Sequence, residues 1–462
     1  MHRLFFAFLI TGLFAAPHAF AQATPEPHAG LRCEALQAAF DQYAYAEYAQ
    51  ATALLNALPD ASLPSEACKS EKYMLLGAMQ VVAYMMKETE TLDAADQRFR
   101  AALVTDPFRR MGEDLFPPRL IRNRFEYNRT QLKQGDLQTS VSERLPDATK
   151  ALQNASHKAM HEYVGQFFSP ERFIELASRP EVAQPMLSTG HIKGFQTERT
   201  EQDSMGVLIE TLNLIDRQGV LRTANQKGIL FDIEKPYVRL DITETIDGTP
   251  SQSRIALTGI KQALNAAGFT VIDETMPNTE AHILVRGNVD ASSEQIGMGM
   301  GWGGFAISNL TMRWADGSNY EFGSQVEKKD GKGKMSQREA SFSALENLSA
   351  SLAGFIKQTC LEEWNNRTIN GAIHLIELEG NLSYEDFRRV LTQLSTFALN
   401  DPLDNPRYVI NGRTQIYVRH RPQDGDLADI IRREGFYNLS RKYTSNITQV
   451  SFNHIVLNVT PE

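Results

Sequence analysis

The chain has 462 residues, 42% of them hydrophobic and 22% charged, with a net charge of −9; that length suits about two to four domains with ordinary cores. Collagenous, low-complexity and polytopic membrane chains are excluded. No long Lys/Arg run is present to neutralise a phosphate backbone, so nucleic acid is not an expected partner. The only cysteines are Cys33, Cys68 and Cys360, which excludes a disulfide-dense scaffold and a CxxC-type metal site.

Residues 1–21 open with Met1-His2-Arg3, continue through an apolar run from Leu4 to Ala16, and end in Ala19-Phe20-Ala21. A basic start, a short apolar stretch and small residues before the cut are the pattern of an export signal, with cleavage expected after Ala21. The run is shorter than the ~20 residues that span a bilayer. No cysteine follows the cleavage point, and Cys33 lacks the small-residue context of a lipobox. The expected product is a soluble periplasmic protein. In that oxidising compartment Cys33 and Cys68 are expected to pair, leaving Cys360 as a buried thiol.

Residues 31–132 are Ala-rich, with apolar residues at helical spacing and no strand pattern, so an all-helical module is expected. Within it Met79, Val82, Ala83, Met86, Ala95, Phe99, Ala102 and Pro107 fall at the large, small, aromatic and proline positions of a helix-turn-helix unit of about 34 residues. The small residues would let paired helices approach, and Pro107 would end the second helix. The segment resembles a degenerate tetratricopeptide repeat, with Ala83 where Gly is usual and Met86 where Tyr is usual. Helices at Glu34 to Leu58 and Pro118 to Leu132 would complete a short stack.

From residue 146 the pattern changes. Residues 146–230 read as a first α/β module: a helix spaced by Ala148, Ala151, Leu152, Ala155, Ala159 and Val164, then a strand at Val207 to Ile215. Residues 235–366 read as a second module, in the order β-α-β-β-β-β-α, ending in a long helix from Ser336 to Trp364. That helix carries Ala344-Leu345-Glu346-Asn347-Leu348-Ser349, which echoes Ala151-Leu152-Gln153-Asn154-Ala155-Ser156 in the first module, a weak internal repeat. Residues 370–462 read as β-α-β-β-α-β, the ferredoxin-like plan. The fold class expected is multidomain α+β: a helical repeat-like module followed by small α/β sandwich modules, the last ferredoxin-like.

A family pattern is carried by several stretches. These are the helix from Ala148 to Val164, Lys235 to Leu240 with Thr243-Glu244, Gly268 to Asp273, Ala281 to Gly287, and the closing helix with Ala340 and Ala344. Together they resemble the periplasmic α/β modules of the flagellar assembly protein T and LPP20-like lipoprotein group, whose middle module is similar to the N-terminal domain of TolB. The resemblance implies a non-enzymatic adaptor of an envelope machine, flagellar or outer-membrane associated, with envelope proteins as partners and no cofactor.

Candidate chemistry is sparse. His157 and His161 stand four apart on one helix, but Lys158 occupies the place where HExxH has its base, so a solvated face is expected rather than a metal site. The glycine-rich run Gly297 to Gly304 leads into a strand and lacks a Lys-Ser/Thr pair, which argues against a phosphate loop and for a flexible hairpin or an irregular edge strand. Met298, Met300, Trp302 and Phe305 on it are the candidate apolar contact for a partner or a membrane edge. Lys328, Lys329, Lys332 and Lys334 form a basic turn suited to anionic lipid or glycan. Two alternatives to the adaptor remain: a cell-wall polymer hydrolase using an acid pair, Glu377/Glu379 or Asp424/Asp426, and a lipid-binding module using the glycine-rich loop.

Overall fold

The computed structural model describes residues 33–86, 91–112, 116, 119–234, 236–272, 276, 279–297, 301–315, 321–331, 333–380, 382–394, 398, 413–421, 425–434, 443–451 and 453–461. The chain is a mixed α/β multidomain protein with a helical N-terminal region and, among the described residues, three separate sheets. The expected export signal at 1–21 falls outside the described residues, as do Met298, Met300 and Lys332. No helix among the described residues is long and apolar enough to cross a membrane.

The helical region comprises α1 (Gln37–Ala44), α2 (Tyr48–Ala57), α3 (Glu66–Met85), α4 (Asp93–Thr105) and α5 (Arg119–Gln131). The expected helix from Glu34 to Leu58 is broken, because Ala46 takes a left-handed φ of 62° between α1 and α2. Cys33 and Cys68 are joined by a disulfide, with Cα atoms 5.3 Å apart, which clamps the start of the module to the first turn of α3. Helices α3 and α4 pack as a pair, with Met79, Val82, Ala95, Phe99 and Ala102 buried as the repeat register requires. Two positions differ from that register. Ala83 is only half-buried and Met86 is exposed, while the close approach falls at Gly77, where a Cβ would collide with the Phe99 ring. The interior also holds charge. Asp96 accepts from Arg124 Nε at 2.7 Å and from Asn128 Nδ2 at 2.7 Å, tying α4 to α5, and Glu71 pairs with Arg109 at 2.9 Å.

The first α/β unit contains β1 (Asp136–Val141), α6 (Ala148–Gly165), α7 (Pro170–Ala177), α8 (Pro180–Ala183), β2 (Ile192–Asp203), β3 (Gly206–Ile215) and α9 (Arg217–Lys227). Its sheet order is β1-β3-β2, all antiparallel. The module thus begins before residue 146: Asp136-Leu137-Gln138-Thr139-Ser140-Val141 is too polar to announce a strand and is recruited by pairing with β3. Helix α6 starts as the sequence implies, with Asp147 accepting from Lys150 N–H at 2.8 Å, and lays Ala151, Ala155 and Ala159 on the sheet.

The second unit contains β4 (Tyr237–Ile246), β5 (Thr249–Pro250), α10 (Ile255–Ala266), β6 (Thr270–Ile272), β7 (Ile283–Gln295), β8 (Trp302–Trp314), β9 (Glu321–Asp330) and α11 (Gln337–Asn370). The sheet runs β5-β4-β7-β8-β9, with β6 also on β4; β4 is parallel to β6 and β7, and the other pairs are antiparallel. Helices α10 and α11 cover one face. Alternation along β8 is regular: Ala306, Ser308, Leu310 and Met312 point into the core, while Ile307 and Asn309 face out. The carboxylate of buried Glu244 accepts the first N–H groups of α10, from Ile255 at 3.0 Å and Ala256 at 2.9 Å.

The third unit contains β10 (Ala372–Gly380), α12 (Tyr384–Leu394), β11 (Arg413–His420), α13 (Leu427–Glu434), β12 (Tyr443–Ser451) and β13 (His454–Pro461). Its sheet order is β11-β10-β13-β12, with β10 parallel to β13. The described elements follow β-α-β-α-β-β, with β12 added to the order read from the sequence. The expected strand at 407–413 lies almost wholly outside the described residues. The added strand β12 is polar, and the hairpin to β13 through Asn453, with φ 58°, gives it its partner.

Burial pushes His282 and His374 down to about 3, with the Arg367 guanidinium adding to the effect. Both imidazoles are therefore neutral when folded and take up protons on unfolding once pH drops below about 6.5. Their contribution to stability is complete above that value and is lost as pH falls toward 3. Between pH 7 and 5 the pair costs about 4 kcal/mol; Asp232 and Glu363, raised by burial, act in the opposite sense. Urea melts at the two pH values should show the loss, and His374→Gln should shrink it. An unchanged pH dependence in that variant would refute the assignment.

Candidate functional site

The glycine-rich run ends where β7 and β8 meet, at one end of the middle sheet. Trp302 N–H donates to the Lys334 carbonyl and Lys334 N–H to the Trp302 carbonyl, both at 2.8 Å, while Ile296 N–H donates to the Gly301 carbonyl at 2.8 Å. These bonds gather the end of β7, the start of β8 and the segment after β9 into one tip. At Gly304, the last glycine of the run, and at Gly331, at the end of the neighbouring strand, the backbone is tightly packed. A Cβ on either would strike the backbone of α11 at Ala340, because the helix crosses directly over the strands. Close packing, not mobility, is the reason glycine stands there.

On the tip, Ile296 is 48% exposed and Met335 95% exposed, beside half-buried Trp302 and exposed Lys334. Phe305 lies on the outer sheet face opposite Asp330 of β9, with the Lys328 ammonium 5.0 Å from its ring centre. Lys329 turns the other way and pairs with Glu327 at 2.8 Å. The structure thus brings Trp302, Phe305, Lys328 and Lys334 to one region and takes Lys329 out of it. Ile296 and Met335 were not singled out from the sequence. A single apolar residue beside a turn carries no signal until the turn is placed at the surface.

The other sequence candidates have local duties. His157 and His161 are exposed, the latter with its ring 4.6 Å from Phe173, and among the described residues no three His, Cys, Asp or Glu side chains gather as metal ligands. Glu377 accepts from Gln415 at 2.8 Å and lies 3.1 Å from His454. Glu379 pairs with Arg413 at 2.6 Å. Asp426 accepts from Asp429 N–H at the start of α13 at 2.9 Å, and Asp424 lies outside the described residues.

A cleft of about 460 Å³ opens between the helical region and the first unit, lined by Arg110, Glu126, Asp136, Thr139, Tyr163 and Arg421 among others. Asp136 is its hub. It accepts from Arg217 Nε at 2.8 Å and Tyr163 Oη at 2.6 Å, and Arg421 of the third unit stands 3.7 Å away. Burial would raise the carboxyl, but Arg217, Arg421 and Tyr163 outweigh it, so its pKa is held below the usual carboxylate range.

No family model matches the chain, and no curated protein matches it. Among solved structures it is similar over short stretches to a Xanthomonas campestris protein of family DUF330 (11% identity, 28% of this chain and 87% of that one, TM-score 0.21). A hypothetical protein from Chlamydia trachomatis shares 7% identity over 28% of this chain and 99% of that one, at TM-score 0.20. The PelC dodecamer from Paraburkholderia phytofirmans shares 18% identity over 27% of this chain and 87% of that one, at TM-score 0.17. At these scores none of them bears on fold or function.

Two substitutions test the packing of these regions. Gly304→Ala should lower unfolding free energy by about 2 kcal/mol through overpacking against α11, whereas Gly333→Ala, whose Cβ would make ordinary contact with Ile296, should change it by less than about 0.5 kcal/mol; denaturant melts compare them. Asp136→Ala strands the buried Arg217 and should cost about 3 to 5 kcal/mol in the same assay.

Proposed function

We propose that the chain is an exported, non-enzymatic adaptor of the cell envelope that holds a protein partner against the tip of its middle sheet. The observation that carries this reading is the grouping of Ile296, Trp302 and Met335 at one end of the middle sheet, flanked by Lys328 and Lys334. Exposed apolar side chains set together among charges mark contact surfaces. The disulfide between Cys33 and Cys68 is compatible with an oxidising compartment, and the sequence pattern at residues 1–21 supplies the export route. The resemblance of residues 146–366 to flagellar assembly protein T and LPP20-like modules supports reading the adaptor as part of a flagellar or outer-membrane-associated machine. Of the acid pairs weighed for polymer hydrolysis, Glu377 and Glu379 are engaged in ion pairs along the third sheet, which favours the adaptor.

Affinity capture of the tagged chain from envelope extracts should recover a defined set of envelope proteins, and Ile296→Asp with Met335→Asp should lose it while the thermal melt stays unchanged. Flotation with anionic liposomes separates the lipid reading. Recovery of the chain with no envelope protein, or flotation that depends on the same two residues, would overturn the proposal.

A further inference from the structure

Strand β9 ends the middle sheet, and among the described residues it pairs only with β8. Gly331 N–H donates to the Gly304 carbonyl at 2.7 Å, so Gly304 and Gly331 form a hydrogen-bonded pair at the end of the ladder. In an antiparallel ladder the bonding direction alternates with every residue. Lys329, Glu327 and Gln325 therefore turn their backbone groups toward β8. Ser324, Val326, Lys328 and Asp330 turn theirs away from it, toward the open edge. At Asp330 that group is met, since its carbonyl accepts from Asn347 of α11 at 2.9 Å. At Ser324, Val326 and Lys328 nothing among the described residues meets it.

The stretch has the properties that edge strands are normally built to avoid. It contains no proline, and its one register shift, at Met312/Arg313, comes before Ser324. Val326, at its centre, is 74% exposed. The two lysines that would guard the edge are drawn elsewhere: Lys328 over the Phe305 ring and Lys329 to Glu327.

We infer that β9 pairs antiparallel with β9 of a second copy of this chain, about a two-fold axis through Val326. This register sets the outward-directed backbone groups opposite each other: Val326 against its own copy, and Ser324 against Lys328 in both directions. It also sets Gln325 against Glu327, an amide against a carboxylate, and places no two like charges directly opposite each other. Moving the axis to Glu327 would put two carboxylates face to face, and moving it to Gln325 would leave Lys328 opposite the irregular stretch at Phe322. The sequence of the edge is therefore complementary to itself in one register, which is what an isologous interface requires. The inference stands independently of the envelope reading, because it concerns the purified chain alone.

Cysteine scanning tests it. In a hydrogen-bonded antiparallel pair the facing Cα atoms are about 5.5 Å apart, within disulfide range. Val326→Cys should cross-link to a band of two chains under mild oxidation on a non-reducing gel. Ser324→Cys and Lys328→Cys should each stay single, and an equal mixture of the two should cross-link. Val326→Pro, which removes the central donor, should halve the mass in sedimentation equilibrium while its thermal melt shows a folded protein. A wild-type chain that sediments as a monomer at its highest soluble concentration would overturn the inference. So would self-linking of the Ser324→Cys or Lys328→Cys chains to the same extent as Val326→Cys. Capture of envelope proteins by a monomer refutes the dimer alone, and a dimer that captures nothing refutes the adaptor alone.

Discussion

The last turns of α11 hold the α/β units to one another, and the rest of the architecture depends on them. Trp364, fully buried, donates from Nε1 to the Phe231 carbonyl at 2.8 Å and stacks on His282 with ring centres 5.3 Å apart. Asn365 accepts from Phe231 N–H and donates to the Ile229 carbonyl and to Asn225, all at 2.8 Å. Arg367 lies over Trp314 and Trp364 and reaches Asn453 of the third unit at 2.7 Å. Three side chains within one turn thus address three different units. A buried amide with both ends satisfied fixes geometry more sharply than apolar contact, because a small displacement leaves polar groups without partners in a low-dielectric interior. The indole and guanidinium planes beside it add area without adding rotatable bonds.

The same helix explains the surface. Because its first turns cross over Gly304 and Gly331, the strands beneath cannot carry side chains there. The outer face of β8 and β9 is left open because both helices of the unit lie on the other side. A two-layer sandwich always leaves one sheet face for solvent or a partner, and here the exposed apolar side chains Ile307 and Val326 sit on that face.

Charge is used internally to position elements. Asp96 with Arg124, Glu71 with Arg109, and Asp136 with Arg217 each tie together segments distant in sequence. A buried ion pair adds little net stability, since desolvation offsets attraction, but removing one partner is expensive. Such pairs hold their segments in one arrangement. The Asp136 hub adds Arg421 from the third unit, so the cleft around it is bordered by the helical region, the first unit and the third unit.

Much of this was legible in residue order. The helix pair with Phe99 at its centre, the Ser336 and Asp147 helix starts, and the strands of the middle unit follow from periodicity, caps and turn residues, which are local properties; the disulfide partners follow from the expected oxidising compartment and a count of three cysteines. What local pattern could not show were strands that owe their existence to a neighbour: β1 and β12 are polar and become strands because β3 and β13 offer them hydrogen-bonding edges. Nor could it distinguish a glycine that bends from a glycine that yields space, as at Gly304 and Gly77, or separate Lys328 from Lys329, which alternate to opposite faces only once β9 is laid beside β8. The sequence by itself determined the class of protein, the helical region and the two-layer character of the modules, because hydrophobic spacing is written residue by residue. Only the tertiary structure decided strand order, the composition of the tip and the openness of the β9 edge, because each depends on pairing between segments far apart in the chain.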